Sequence, residues 1–147
     1  MVSNTFWQAV KFGIVGASNT IIDFGFYNLI LHFTDLGVNQ AALISGTIAL
    51  VNSLILNSKV TFKSKIDRSI SIKFIGATLI GLFIVRNFTL WILVHTSLIR
   101  DLANWFVNLI NLQINLDWLV NNTNLAIATV ALMVWNFVIY KYYVYKK

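Results

Sequence analysis

Apolar residues gather in four long runs, about Phe12–Phe33, Gln40–Val60, Ile72–Thr96 and Asn124–Tyr145, with polar or charged stretches between them. A helix rises 1.5 Å per residue, so each run can cross a hydrocarbon layer of about 30 Å. The pattern predicts an all-α, polytopic membrane protein with four transmembrane helices in one domain over residues 1–147. The short Thr34–Asn39 link makes the first two helices a tight hairpin. The connection Ile99–Asn122 is longer and mixed. It sets Trp105, Phe106, Leu109, Ile110, Leu112, Ile114, Leu116, Trp118 and Leu119 among many Asn. That mixture is too interrupted to span and suits a segment lying in the membrane interface, where indole rings sit. It reads either as an anchor or cap at the outer end of the bundle or as a surface for a partner.

Composition sharpens this picture. Hydrophobic residues make up 58% of the chain, against roughly 45–50% in soluble domains. Without cysteine, neither a disulfide nor a thiolate site can form. The formal charge of +6 comes from bases clustered beside the apolar runs, which makes them topology signals before nucleic-acid contacts. Lys11, the group Lys59, Lys63, Lys65, Arg68 and Lys73, and the group Lys141, Lys146 and Lys147 all fall at ends or loops on one face. The opposite connections hold Arg100 with Asp35, Asp101 and Asp117. Positive residues stay on the cytoplasmic side, so both termini and the loop Thr61–Ser71 are expected there. The first run is too long for a signal peptide and is interrupted by Ser18, Asn19 and Asp23; it reads as an uncleaved helix.

A weak internal repeat is also visible. Leu54-Ile55-Leu56 followed by Lys59, Val60, Thr61, Phe62 and Lys63 is echoed by Phe137-Val138-Ile139 followed by Tyr142, Tyr143, Val144, Tyr145 and Lys146. Lys11-Phe12 opens the first helix as Lys73-Phe74 opens the third. Two hairpins of one orientation would be related by an axis along the membrane normal; chance likeness between apolar helices is the alternative.

Polar residues inside the runs are the candidates for chemistry. Gly16, Asn19, Asp23 and Tyr27 recur at helical spacing in the first run, and Ala42, Gly46, Ala49, Ser53 and Asn57 in the second. Such stripes let helices pack closely and hydrogen-bond. An Asp at the centre of a membrane helix costs about 2.5 to 3.5 kcal/mol and normally faces a cavity or a partner. Asp23 and Arg86 lie about eleven and twelve residues beyond Phe12 and Phe74, so equal depth permits an ion pair. That pair would be a structural clamp; alternatively Arg86 faces a cavity and meets an anionic substrate, since guanidinium matches phosphate oxygens. The basic cluster from Lys59 to Lys73 attracts anionic lipid or docks a phosphate headgroup. His32 and His95 lack the flanking ligands a metal or haem needs. No catalytic triad, metal cluster, nucleotide loop or paired acids can be assembled, so transport fits better than catalysis and no cofactor is expected.

The chain resembles the GtrA-like family of small four-helix bacterial membrane proteins. The likeness rests on Lys11-Phe12-Gly13-Ile14-Val15-Gly16, then Asn19-Thr20 and Asp23, and on Leu56-Asn57-Ser58-Lys59-Val60-Thr61-Phe62-Lys63. The family often has a base after the Asn; here Ser58 stands there, with Lys59 next. The resemblance implies a flippase in the bacterial cytoplasmic membrane that moves a polyprenyl-phosphate-linked sugar outward. It would work beside membrane-associated glycosyltransferases that load the lipid and use the sugar for wall polymer or surface polysaccharide. Polar groups at depth would line its path: Asn19, Asp23, Asn52, Asn57, Lys59, Lys63, Arg86 and Asn87 are the substrate-binding candidates. Two other classes fit the residues: a small proton-coupled exporter of cationic drugs, using Asp23, and a non-transporting anchor subunit of a glycosyltransferase. One small bundle offers little room for a pathway, which favours a homo-oligomer.

Overall fold

A computed structural model of the chain describes residues 2–110 and 113–146. The described residues form helices joined by short connections, without strands. Helix α1 (Val2–Phe33) and α2 (Val38–Leu56) come first, and α2 runs into a π-helical turn, π1 (Asn57–Thr61). Helix α3 (Arg68–Ile80), a second π turn π2 (Gly81–Arg86) and α4 (Asn87–His95) follow as one continuous helical run. Helix α5 (Leu98–Ile110) precedes α6 (Leu116–Ile139), which ends in a third π turn, π3 (Tyr140–Val144). Four stretches are long and apolar enough to cross a membrane: Thr5–Phe33, Val38–Thr61, Arg68–His95 and Leu116–Val144. The protein is a multi-pass membrane protein. Ile21, Phe24 and Leu43 stand more than 70% exposed on these spans, as lipid-facing side chains do, because lipid tails are as apolar as Leu.

The spans begin earlier than their hydrophobicity suggests, and capping explains why. The Asp67 carboxylate accepts a 2.7 Å bond from the Ile70 N–H, which starts α3 at Arg68 instead of Ile72. Asn115 does the same for α6, its side-chain oxygen accepting from the Trp118 N–H at 2.9 Å, and Asp117 lies in that first turn, where the helix dipole favours an acid. Gln40 turns back to accept the Gly37 N–H at 3.1 Å and opens α2.

The stretch Ile99–Asn122 is therefore not an irregular loop. Most of it is α5 and the first turns of α6. In α5, Arg100, Asn104 and Asn108 form a polar stripe, and Leu98, Leu102, Trp105 and Leu109 an exposed apolar one, the layout of a helix lying in an interface. Arg100 reaches Asp117 with a 2.7 Å ion pair, both side chains at least half exposed, so the tie is weak. Leu112 and Lys147, which entered the interface and charge readings, lie outside the described residues.

The chain divides into two compact units. The first holds residues 2–74 with 145 and 146, and the second Ile75–Val144. The first unit is the α1–α2 hairpin. Its buried line on α2 is Ala41, Ser45 and Ala49; of the expected stripe Ala49 and Asn57 are buried, whereas Ala42 is exposed and a Cβ at Gly46 would meet nothing within 4 Å. In the second unit Gly81 does allow close approach. A Cβ there would stand 2.6 Å from Trp135 and 2.7 Å from Leu132 of α6. The Trp135 indole N–H donates to the Ala77 carbonyl at 3.1 Å across the same seam, and Thr78 meets the Tyr140 hydroxyl.

Candidate functional site

Inside the first unit, two polar pairs join α1 to α2. The Ser45 hydroxyl donates to Asp23 Oδ1 at 2.6 Å, and Asn52 Nδ2 donates to Asn19 Oδ1 at 2.7 Å. Helical spacing produces the pairing. Asn19 and Asp23 are one turn apart on α1, and Ser45 and Asn52 two turns apart on α2, running the other way. A cavity of about 310 Å³ opens beside the carboxylate, lined by Thr20, Asp23, Phe24, Tyr27, Ala42 and Ser45. Asp23 is half-buried there. Among the described residues of its own unit it has no base as a partner; serine takes that place. Arg86, half-buried at the end of π2, likewise has no acid within the second unit.

The other candidates fall into two groups. Asn57, Lys59 and the turn before Lys63 build π1. There Phe62 N–H donates to the Asn57 carbonyl at 2.9 Å and Ser64 N–H to the Ser58 carbonyl at 2.8 Å. These bonds are wider than those of an ordinary helix end, and Lys63 closes them with φ 49°, a left-handed conformation that costs a non-glycine residue about 1 kcal/mol. π turns inside helices often mark functional sites. Asn57 is buried, its Nδ2 donating to Ser53 Oγ at 3.1 Å, while its Oδ1 and the neighbouring Thr61 Oγ1 are buried without partners. Lys59 and Lys63 are exposed beside them. Asn87, by contrast, is exposed at the start of α4 and joins none of these groups.

Reading the sequence missed the partners. Ser45 is fully buried, as is Ser58, whose hydroxyl shares a 3.0 Å hydrogen bond with Tyr145. The Tyr145 ring stacks on Phe62 with centroids 4.6 Å apart and planes 14° from parallel. Burial pushes the Tyr145 phenol up to about 12, with the Ser58 hydrogen bond pulling the other way. The repeat held a signal here, because Phe62 and Tyr145 occupy matching places in its two copies. Both copies end in a π turn, Asn57–Thr61 and Tyr140–Val144, at matching positions. Among the described residues no group of three or more His, Cys, Asp or Glu is set to hold a metal ion.

A carboxylate and amides held within apolar spans, with a basic π turn closing one of them, mark a small multi-pass membrane protein with polar groups set inside its apolar segments. The family model described as GtrA/DPMS, transmembrane domain, matches residues 11–145, and the chain belongs to that family. Membership makes this a membrane protein of polyprenyl-phosphate-sugar processes. No curated protein and no solved structure matches it.

Proposed function

We propose that this protein is a flippase that carries a polyprenyl-phosphate-linked sugar, with undecaprenyl as the lipid, across a bacterial cytoplasmic membrane to supply surface polysaccharide or teichoic acid glycosylation. The observation that supports this reading most is Asp23, a half-buried carboxylate inside an apolar span, beside a cavity and held by Ser45. Such a group is costly in lipid and persists where a polar guest passes. With the basic clusters facing the cytoplasm, as the positive-inside rule requires, π1 lies at the loading side. Lys59 and Lys63 attract the phosphate there, and the open acceptors of Asn57 and Thr61 await hydroxyl donors. Arg86 receives the phosphate at depth. The partners in this scheme are glycosyltransferases that load the lipid and use the sugar.

The test is reconstitution in vesicles with lipid-linked sugar and a leaflet-specific readout. Wild-type protein should move the lipid, and Asp23→Asn and Arg86→Gln proteins that still fold should lose at least tenfold in rate. Unchanged transport in both variants overturns the residue roles. Co-purification with a glycosyltransferase, with no flipping by the wild type, overturns the flippase in favour of an anchor subunit.

A further inference from the structure

The second unit carries a cavity of its own, far along the chain from the polar pairs of the first. It measures about 330 Å³ and is lined in part by His95, Ser97, Arg100, Asn121 and Asn124, where α4 ends, α5 starts and α6 begins its climb. We propose that this cavity binds a neutral sugar, the headgroup of the lipid described above, at the end of the unit opposite Lys141. The inference deepens the flippase reading and rests on it.

Four observations set the ligand's chemistry. Asn124 is 4% exposed and its Oδ1 has no hydrogen-bond partner. A buried amide oxygen in that state asks for a donor. His95 Nδ1 lies 2.8 Å from the Trp91 carbonyl oxygen. A carbonyl only accepts, so Nδ1 carries a proton, and in the neutral ring Nε2 is left as an acceptor. The Ser97 hydroxyl donates its hydrogen to Asp101 Oδ2 at 2.6 Å, leaving its oxygen free to accept. Arg100 is paired with Asp117 at 2.7 Å, which cancels its charge and leaves its other N–H groups as donors.

The site thus offers acceptors at Asn124, His95 and Ser97, donors at Arg100 and the two Asn amides, and no net positive charge. A phosphate has the wrong chemistry for it. Its oxygens chiefly accept, so they cannot satisfy the Asn124 oxygen, and Arg100, already paired with Asp117, offers it little net charge. A sugar ring offers hydroxyls that donate to Asn124, His95 and Ser97 and accept from Arg100. The volume lies at the small end of ligand pockets, which run from about 300 to 1,000 Å³. That leaves room for one ring and excludes a long oligosaccharide.

The test uses the full chain in lipid nanodiscs, with saturation-transfer NMR of methyl glycosides of glucose, galactose, mannose and N-acetylglucosamine, and inorganic phosphate as a separate probe. At least one glycoside should bind, with affinity falling tenfold or more in Asn124→Leu and in Asn121→Ala; Asn121 is exposed, so its variant is not expected to disturb folding. Gly46→Ala, in the other unit, should bind as the wild type does. Absence of glycoside binding, equal binding by both Asn variants, or phosphate binding at the same residues overturns the site. The two readings fail separately. A wild type that flips lipid-linked sugar but binds no glycoside loses the site and keeps the flippase. One that binds glycoside with these variant effects but flips nothing keeps the site and loses the flippase.

Discussion

In the first unit polar side chains of α1 and α2 pair with each other across the hairpin; in the second, Gly81 has no room and two amides of α6 have buried oxygens with no partner among the described residues. Asp23 takes Ser45 and Asn19 takes Asn52, whereas Asn124 and Asn136 each leave an Oδ1 unanswered. The difference separates two uses of polarity in lipid. Between α1 and α2, polar pairs join helices whose buried line is small residues. In the second unit the close approach at Gly81 adds to the Trp135–Ala77 and Thr78–Tyr140 hydrogen bonds, and the amide oxygens of Asn124 and Asn136 stay open. Helix association in lipid can rest on either, since the hydrophobic effect does not drive it there.

The largest expected effect tests this contrast directly. Gly81→Ala places a Cβ against Trp135 and Leu132 and should cost about 3 kcal/mol, the upper end for overpacking. Gly46→Ala meets nothing and should gain about 0.5 kcal/mol from helix propensity. Thermal unfolding in detergent reads both, and equal effects would erase the contrast. Next comes Ser45→Ala, which leaves the Asp23 carboxylate without its donor and should destabilise by about 2 kcal/mol. A silent Ser45→Ala would mean that the hairpin is not joined by its polar pairs.

Smaller again is the Ser58–Tyr145 contact. Tyr145→Phe keeps the stacking on Phe62 and removes one neutral hydrogen bond, a loss of about 1 kcal/mol. The same tyrosine sets a pH window. Its folded pKa is raised from 10.0 to about 12, so the folded state holds the proton more tightly than the unfolded one. The resulting stability is fully present below pH 10 and is lost as pH rises through 10 towards 12. Tyrosinate absorbance should show a late-titrating component that is lost in Tyr145→Phe. The smallest effect is Lys63→Gly, which relieves the left-handed backbone and should stabilise by roughly 0.5–1 kcal/mol while removing a base from the proposed loading side. Greater stability together with slower transport would mark the strain as functional.

Much of this architecture was legible because lipid is a demanding solvent. Every backbone polar group must be satisfied within the segment, so long apolar runs become helices whatever their neighbours. The four spans could be read for that reason, and Asp23 and Asn57 stood out for the same one. The Asn-rich stretch after Ile99 hid where the fourth span begins, because its amides interrupt the apolar run. In α6 the Asn122 side chain donates back to the Trp118 carbonyl at 2.7 Å and Asn115 caps the helix, so local hydrogen bonds turn the same residues into helix.

Number, length and polar content of the spans follow from the order of residues, since the transfer free energy of each segment depends on its own composition. Partners do not. That Asp23 meets Ser45, that Gly81 and not Gly46 sits in a tight seam, and that Asn124 is shut away with an open oxygen depend on the rotation of each helix about its axis. A shift of one residue turns a helix by about 100°, and the apolar runs are too uniform to encode so fine an angle. Packing of specific side chains sets it.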